Sequence, residues 1–216
     1  MIHLAVRENA AWCDLVCATH GQPGVRDADA WSMPRRSPPF HPDAVTLRPG
    51  LGPDLLRRID AGPGASVKDS YADLDLAGHG FDVLFEARWV HRPPGGPAGH
   101  ETLVPVTTVG DLTAWAHAHG GGSIFRPGLL TDPRVRILGL PDGHGGWSGG
   151  AVLHDDSDVV GVSNVFARDA PPEQVWAGVC AAGAGRHLVG YEQDADLAPA
   201  RRHGFRTIGP LRVWLR

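Results

Sequence analysis

The chain has 216 residues, enough to bury a full core as one domain, and its formal charge of −4 lacks the global basic footprint that nucleic-acid binding favours. No run approaches the roughly 18 apolar residues of a bilayer span. The three cysteines cannot pair evenly, and nineteen of the 20 basic side chains are arginine, with Lys68 the one lysine. Cys13 and Cys17 lie four apart on one helical face and read as buried thiols. Met1–Glu8 lacks the basic-then-apolar build of a secretory signal, so a cytoplasmic setting without membrane association is expected.

In chain order, Glu8–His20 carries a helical stripe (Trp12, Leu15, Val16, Thr19) stopped by Gly21. Residues 22–50 are proline-rich and mostly loop, with Ala44–Leu47 strand-like. Pro53–Ala61 reads as a short helix, and Val67–Ala72 as strand or loop. Phe81–His91 alternates as a strand should, residues 93–101 form a Pro/Gly loop, and Thr108–His119 is a helix with a triple-glycine stop. Phe125–Leu130 makes at most a second short helix. Three strands follow at Arg134–Leu140, Trp147–His154 and Val159–Ala167, the last two joined by a turn at Asp155–Asp158. Pro171–Ala184 is a helix opened by two prolines. It leads to a strand (His187–Glu192), a helix from Asp196 to Gly204, and a strand (Ile208–Leu215). Gly204 falls where a helix end needs a left-handed residue, and Phe205 is set to fold back on the last turn.

From residue 81 this order predicts an α+β fold: a mixed, mostly antiparallel central sheet flanked by helices, with an N-terminal extension. The expected division is 1–80 as extension and 81–216 as core. The twelve histidines form no HExxH, clear HxH strand or Cys/His cluster, so no metal site is expected. Gly146-Trp147-Ser148 and Gly161-Val162-Ser163 lack the strand–elbow–helix setting of a serine hydrolase.

The order of elements, with the Gly204-Phe205 ending, resembles the core of GNAT-type N-acyltransferases. The resemblance implies acyl transfer from an activated donor, acyl-CoA or similar, to the amine of a small-molecule acceptor. It sets Val159–Ala167 in the place of the strand whose backbone pairs with the pantetheine arm. Val162, Ser163, Asn164, Val165, Phe166 and Arg168 are then the cofactor-binding candidates. His187–Glu192 takes the place of the strand that splays away to leave the cleft. Two departures accompany the match. The Gly-rich turn that binds the diphosphate in the family is here Arg168-Asp-Ala-Pro171-Pro172-Glu173, with two residues lacking an N–H and two carboxylates. The family's frequent tyrosine four residues before the glycine is Ala200.

Amine acylation needs a proton acceptor, and Glu192 and Asp194 flank the splayed strand's end; both also suit the start of the next helix. Tyr191 is the candidate acid, with its ring in the cleft or in the core. Glu86 is a further candidate base if it points inward among Leu84, Phe85 and Trp89. Ser163-Asn164 interrupts an apolar strand and needs partners, a ligand or the core. If the diphosphate turn is lost, a carrier-protein thioester or an aminoacyl-tRNA becomes the alternative donor, with Arg35-Arg36, Arg57-Arg58 and Arg201-Arg202 as phosphate docking sites. The second alternative is a non-catalytic GNAT-like binding module. Oligomeric state is left open.

Overall fold

A computed structural model describes residues 1–96, 100, 102–156 and 158–216. Part of the expected 93–101 loop (97–99 and 101), and Ser157 of the expected turn, lie outside the described residues. The elements are α1 (Ile2–Thr19), β1 (Val25–Arg26), β2 (Ala30–Ser32), β3 (Ala44–Thr46), β4 (Ser66–Asp69), β5 (Asp82–Arg92) and β6 (Val104–Pro105). They continue with α2 (Val109–His119), β7 (Val135–Pro141), β8 (Trp147–Asp155), β9 (Val160–Ala167), α3 (Pro172–Ala182), β10 (Leu188–Glu192), α4 (Leu197–Arg202) and β11 (Arg206–Leu215). Short 3₁₀ turns at Pro53–Arg58 and Pro127–Thr131 replace the two expected short helices, since each opens on proline and is too short to sustain α-helical pairing. No helix among the described residues is long and apolar enough to cross a membrane.

The chain divides into two compact units, Met1–Trp89 with Ile208–Arg216, and Val90–Thr207. The boundary thus falls nine residues beyond the expected 80/81, and the segment after Thr207 goes with the first unit. Its reason is strand pairing: Arg212–Leu215 of β11 run antiparallel to Ser66–Asp69 of β4. In this unit β1, β2, β3 and β4 pair in sequence order, the β3–β4 step parallel. α1 starts six residues before the expected Glu8, because Ala5 and Val6 are themselves buried. Its inner face packs Ala10, Cys13 and Cys17 against Trp31, Met33 and Val45. All three cysteines are free and buried, and burial pushes the Cys17 thiol up to about 12. Lys68, also buried, donates from Nζ to Asn9 Oδ1 at 2.7 Å, which answers the cost of enclosing an ammonium.

In the second unit β6, β7, β8 and β9 are antiparallel neighbours and β10 lies parallel to β9. α3 makes the crossover between β9 and β10, as a parallel pair requires. Its buried stripe, Val175, Trp176, Val179 and Cys180, meets Leu138, Leu153, Val160, Val162 and Leu188. α4 ends as expected: Gly204 has φ +86°, Phe205 N–H donates to Ala200 O at 3.2 Å, and the Phe205 ring lies edge-on to Trp176. Buried Arg92 donates to His203 O at 3.0 Å, placing a cation at that helix end. α2 is capped by Thr108, whose hydroxyl accepts from Asp111 N–H, and it packs on β8.

Candidate functional site

The parallel pair β9–β10 is short. Registered pairing covers Leu188↔Val160 and Val189↔Gly161 alone. At Gly190 the strands still touch, since a Cβ there would lie 2.6 Å from Val162 O. Beyond it β9 runs on to Ala167 and β10 to Glu192 with no register between them among the described residues. The result is a wedge with Gly190 at its apex, Val162–Ala167 on one side and Tyr191–Glu192 on the other. Glycine at the apex is what lets the strands approach so closely before parting.

β9 is irregular along this stretch. Gly150 pairs with Phe166 and Val152 with Ser163, so Asn164 and Val165 together oppose Ala151. This is a β-bulge, which frees backbone groups from the ladder with β8. Asn164 sits at φ +54°, a left-handed conformation that asparagine tolerates better than most residues but at a cost of about 1 kcal/mol or more. Its Oδ1 is buried and has no hydrogen-bond partner. Strain and an unanswered acceptor in one strand are unusual in a purely structural element.

Glu192 ends β10 and is partly buried. Burial, with the nearby Asp196 carboxylate, raises its carboxyl to about 8. Asp194 lies in the exposed 3₁₀ turn Asp194–Asp196, and Tyr191 is partly buried beside Glu192. Tyr191 and Glu192 thus follow Gly190 on β10, and Val162–Phe166 follow the last registered residue, Gly161, on β9, with Asp194 in the turn after β10. Glu86 behaves differently. It lies in the first unit, its side chain is 62% exposed, and Arg212 holds it at 2.7 Å. The alternation of β5 turns it outward, so the expectation of an inward, buried base at Glu86 is corrected.

The strand's side chains divide their labour. Val162 is buried in the core below α3, and Val165 packs against the same core, so these two offer only backbone to a ligand. Phe166 points instead to an aromatic cluster from α2: Trp115 and Phe125 box His119, whose ring lies parallel to Trp115 at 5.3 Å and edge-on to Phe166. His119 Nδ1 is buried without a partner, and burial lowers the ring's pKa, which keeps it neutral. Helical spacing places Trp115 one turn before His119 but says nothing of the Phe125 and Phe166 rings that enclose it from two other segments. A histidine pair, His91 Nε2 to His187 Nδ1 at 2.9 Å, sits at the opposite, N-terminal end of β10. Among the described residues no group of three or more His, Cys, Asp or Glu is placed to hold a metal ion.

No family model matches the chain, and no curated protein matches it. Among solved structures it is similar to a GCN5-related N-acetyltransferase from Kribbella flavida, at 15% identity and TM-score 0.64, over 98% of this chain and 95% of that one. It is also similar to a protein described as a GNAT-family acetyltransferase from Novosphingobium aromaticivorans (14% identity, TM-score 0.59, 94% of each chain). A conserved protein of unknown function from Staphylococcus epidermidis shares the shape too (10% identity, TM-score 0.57, 89% of this chain and 92% of that one). The chain has the GNAT fold. The likeness runs through almost its full length, and is therefore not confined to the 81–216 stretch on which the sequence resemblance rested.

The sequence resemblance to GNAT-type acyltransferases raises the expectation of an acyl-CoA donor whose diphosphate lies at the turn before α3. The residues of that turn do not fit it. Arg168 is exposed, and its N–H is spent on Ser148 O at 2.7 Å, closing the β8–β9 ladder. Pro171 and Pro172 have no N–H, and Gln174 N–H donates to Pro171 O at 3.0 Å. Between them Glu173 folds its carboxylate onto its own N–H and onto the Arg202 guanidinium, which together hold it below its ordinary pKa.

Proposed function

We propose that this protein is an N-acyltransferase that moves an acyl group from an activated donor to the amine of a small-molecule acceptor. The observation that carries this reading is the wedge itself. A bulged strand with freed backbone groups lies beside the strand that ends in Glu192, whose carboxyl is half-protonated at about pH 8. The amine nitrogen attacks the acyl carbonyl and the new C–N bond forms. Backbone N–H groups at the Asn164 bulge take the charge on the carbonyl oxygen. Glu192 accepts the proton that the nitrogen sheds. As the bond to the leaving sulfur breaks, the Tyr191 hydroxyl supplies a proton to it. Asn164 Oδ1, an acceptor without a donor, suits an N–H of the incoming amine.

The test uses S-acetylpantetheine with a panel of aryl and alkyl amines, following free thiol. Amine-dependent release is expected, rising with pH through about 8 as Glu192 ionises. Glu192→Gln should lower it by about 10²- to 10⁴-fold and flatten that rise. Equal rates in the two proteins would remove Glu192 from the mechanism.

A further inference from the structure

The N-terminus of α3 is an 11-residue helix's positive end, and the chain has filled it with its own groups. Of its first three positions, Pro172 has no donor, Glu173 answers its own, and Gln174 is turned back to Pro171. Arg202 of α4, a cation drawn to the place, is paired there with Glu173. A second segment covers the same turns from outside. Thr102 Oγ1 donates to Gln174 O at 2.7 Å, and Leu103 packs so tightly on α3 that position 178 has room only for glycine. An incoming diphosphate would have to displace a carboxylate, break an ion pair and face Asp169 as well. The end of the helix is closed from within.

We infer that the acyl donor of this protein is a thioester on a pantetheine-type arm, recognised along β9 and carrying no nucleotide diphosphate to α3. This rests on the acyl-transfer reading and deepens it. The arm has two sources, a free small thioester or a phosphopantetheine carried by a partner protein, and in both the nucleotide of CoA plays no part in binding. The Glu173 carboxylate, paired with Arg202, stands in for the absent anion.

Calorimetric titration decides it, with acetyl-CoA, S-acetylpantetheine and an acetylated phosphopantetheinyl carrier protein run against the wild type and Glu173→Ala. The wild type should bind acetyl-CoA no more than about twofold more tightly than S-acetylpantetheine. In Glu173→Ala, with Arg202 and an N–H released, acetyl-CoA should gain at least about fivefold while S-acetylpantetheine is unchanged; such discrimination is well within the reach of one charge-assisted contact. Tighter binding of the carrier protein than of the free arm would assign the source. A wild-type preference for acetyl-CoA of tenfold or more overturns the inference yet leaves acyl transfer intact. Absence of amine-dependent thiol release from every donor removes acyl transfer, and the Glu173→Ala gain then still decides whether α3 is closed by its own residues. No gain in that variant overturns the closure.

Discussion

Glu192 couples the site's chemistry to the stability of the molecule. Its carboxyl ionises at about 8 in the folded chain but near the ordinary glutamate value once unfolded. Between those two values the unfolded state has lost a proton that the native state keeps. Stability must therefore fall as pH climbs from about 4.5 to 8, by up to roughly 1.4 kcal/mol per pH unit from this one group, and level off beyond. Glu192→Gln should abolish that slope and be more stable than the wild type at pH 8, as urea unfolding at several pH values would report. A variant with the wild-type slope would mean that the carboxyl is not held protonated by its surroundings. At this scale the sequence was partly legible. The acidic residues at the end of β10 could be named from their place, whereas the outward face of Glu86 depended on strand phase, which alternation alone leaves undecided.

At the level of elements, the best-read parts were those with enough residues to set a period. β7, β8, β9 and α3 emerge within a residue or two of expectation. β1 and β2 have two or three residues each and sit among prolines, too short for any periodic signal, whereas β3 falls within the strand-like Ala44–Leu47. The bulge in β9 was hidden too, since Ser163-Asn164 reads as a polar interruption and only the register of β8 reveals the extra residue. β8 also holds α2 in place through a glycine. A Cβ at Gly150 would run into Trp115 Nε1 and Leu138 O, the two atoms that bond each other at 2.9 Å. Gly150→Ala should cost about 1–3 kcal/mol and loosen the box around His119. Thermal unfolding with tryptophan fluorescence would measure both, and an unshifted midpoint would mean that α2 moves aside freely.

At the scale of the whole molecule, the division into two units departs from the division read along the sequence, because strand pairing ignores sequence order. Gly64 N–H donates to Arg216 O at 2.6 Å and Arg216 N–H to Ala65 O at 2.9 Å, continuing the β4–β11 ladder. Trp214 joins Val67, Leu76 and Phe81 in one apolar cluster. A chain ended after Thr207 would lack this strand. Amide exchange at Ser66–Asp69 should then become fast while β7 and β8 stay protected; continued protection of Ser66–Asp69 would show that β4 needs no partner on that side.

The same ladder has a consequence for synthesis on the ribosome. The second unit, Val90–Thr207, is one unbroken stretch and can close as soon as it leaves the exit tunnel. The first unit is begun earlier, yet must wait for Ile208–Arg216, more than a hundred residues after β4 has emerged. During that interval Ala65, Val67 and Leu76 lack the Trp214 side of their cluster, and one edge of β4 is unpaired. Chaperones should find the nascent chain there, and slower translation of residues 90–207 should prolong their hold on it.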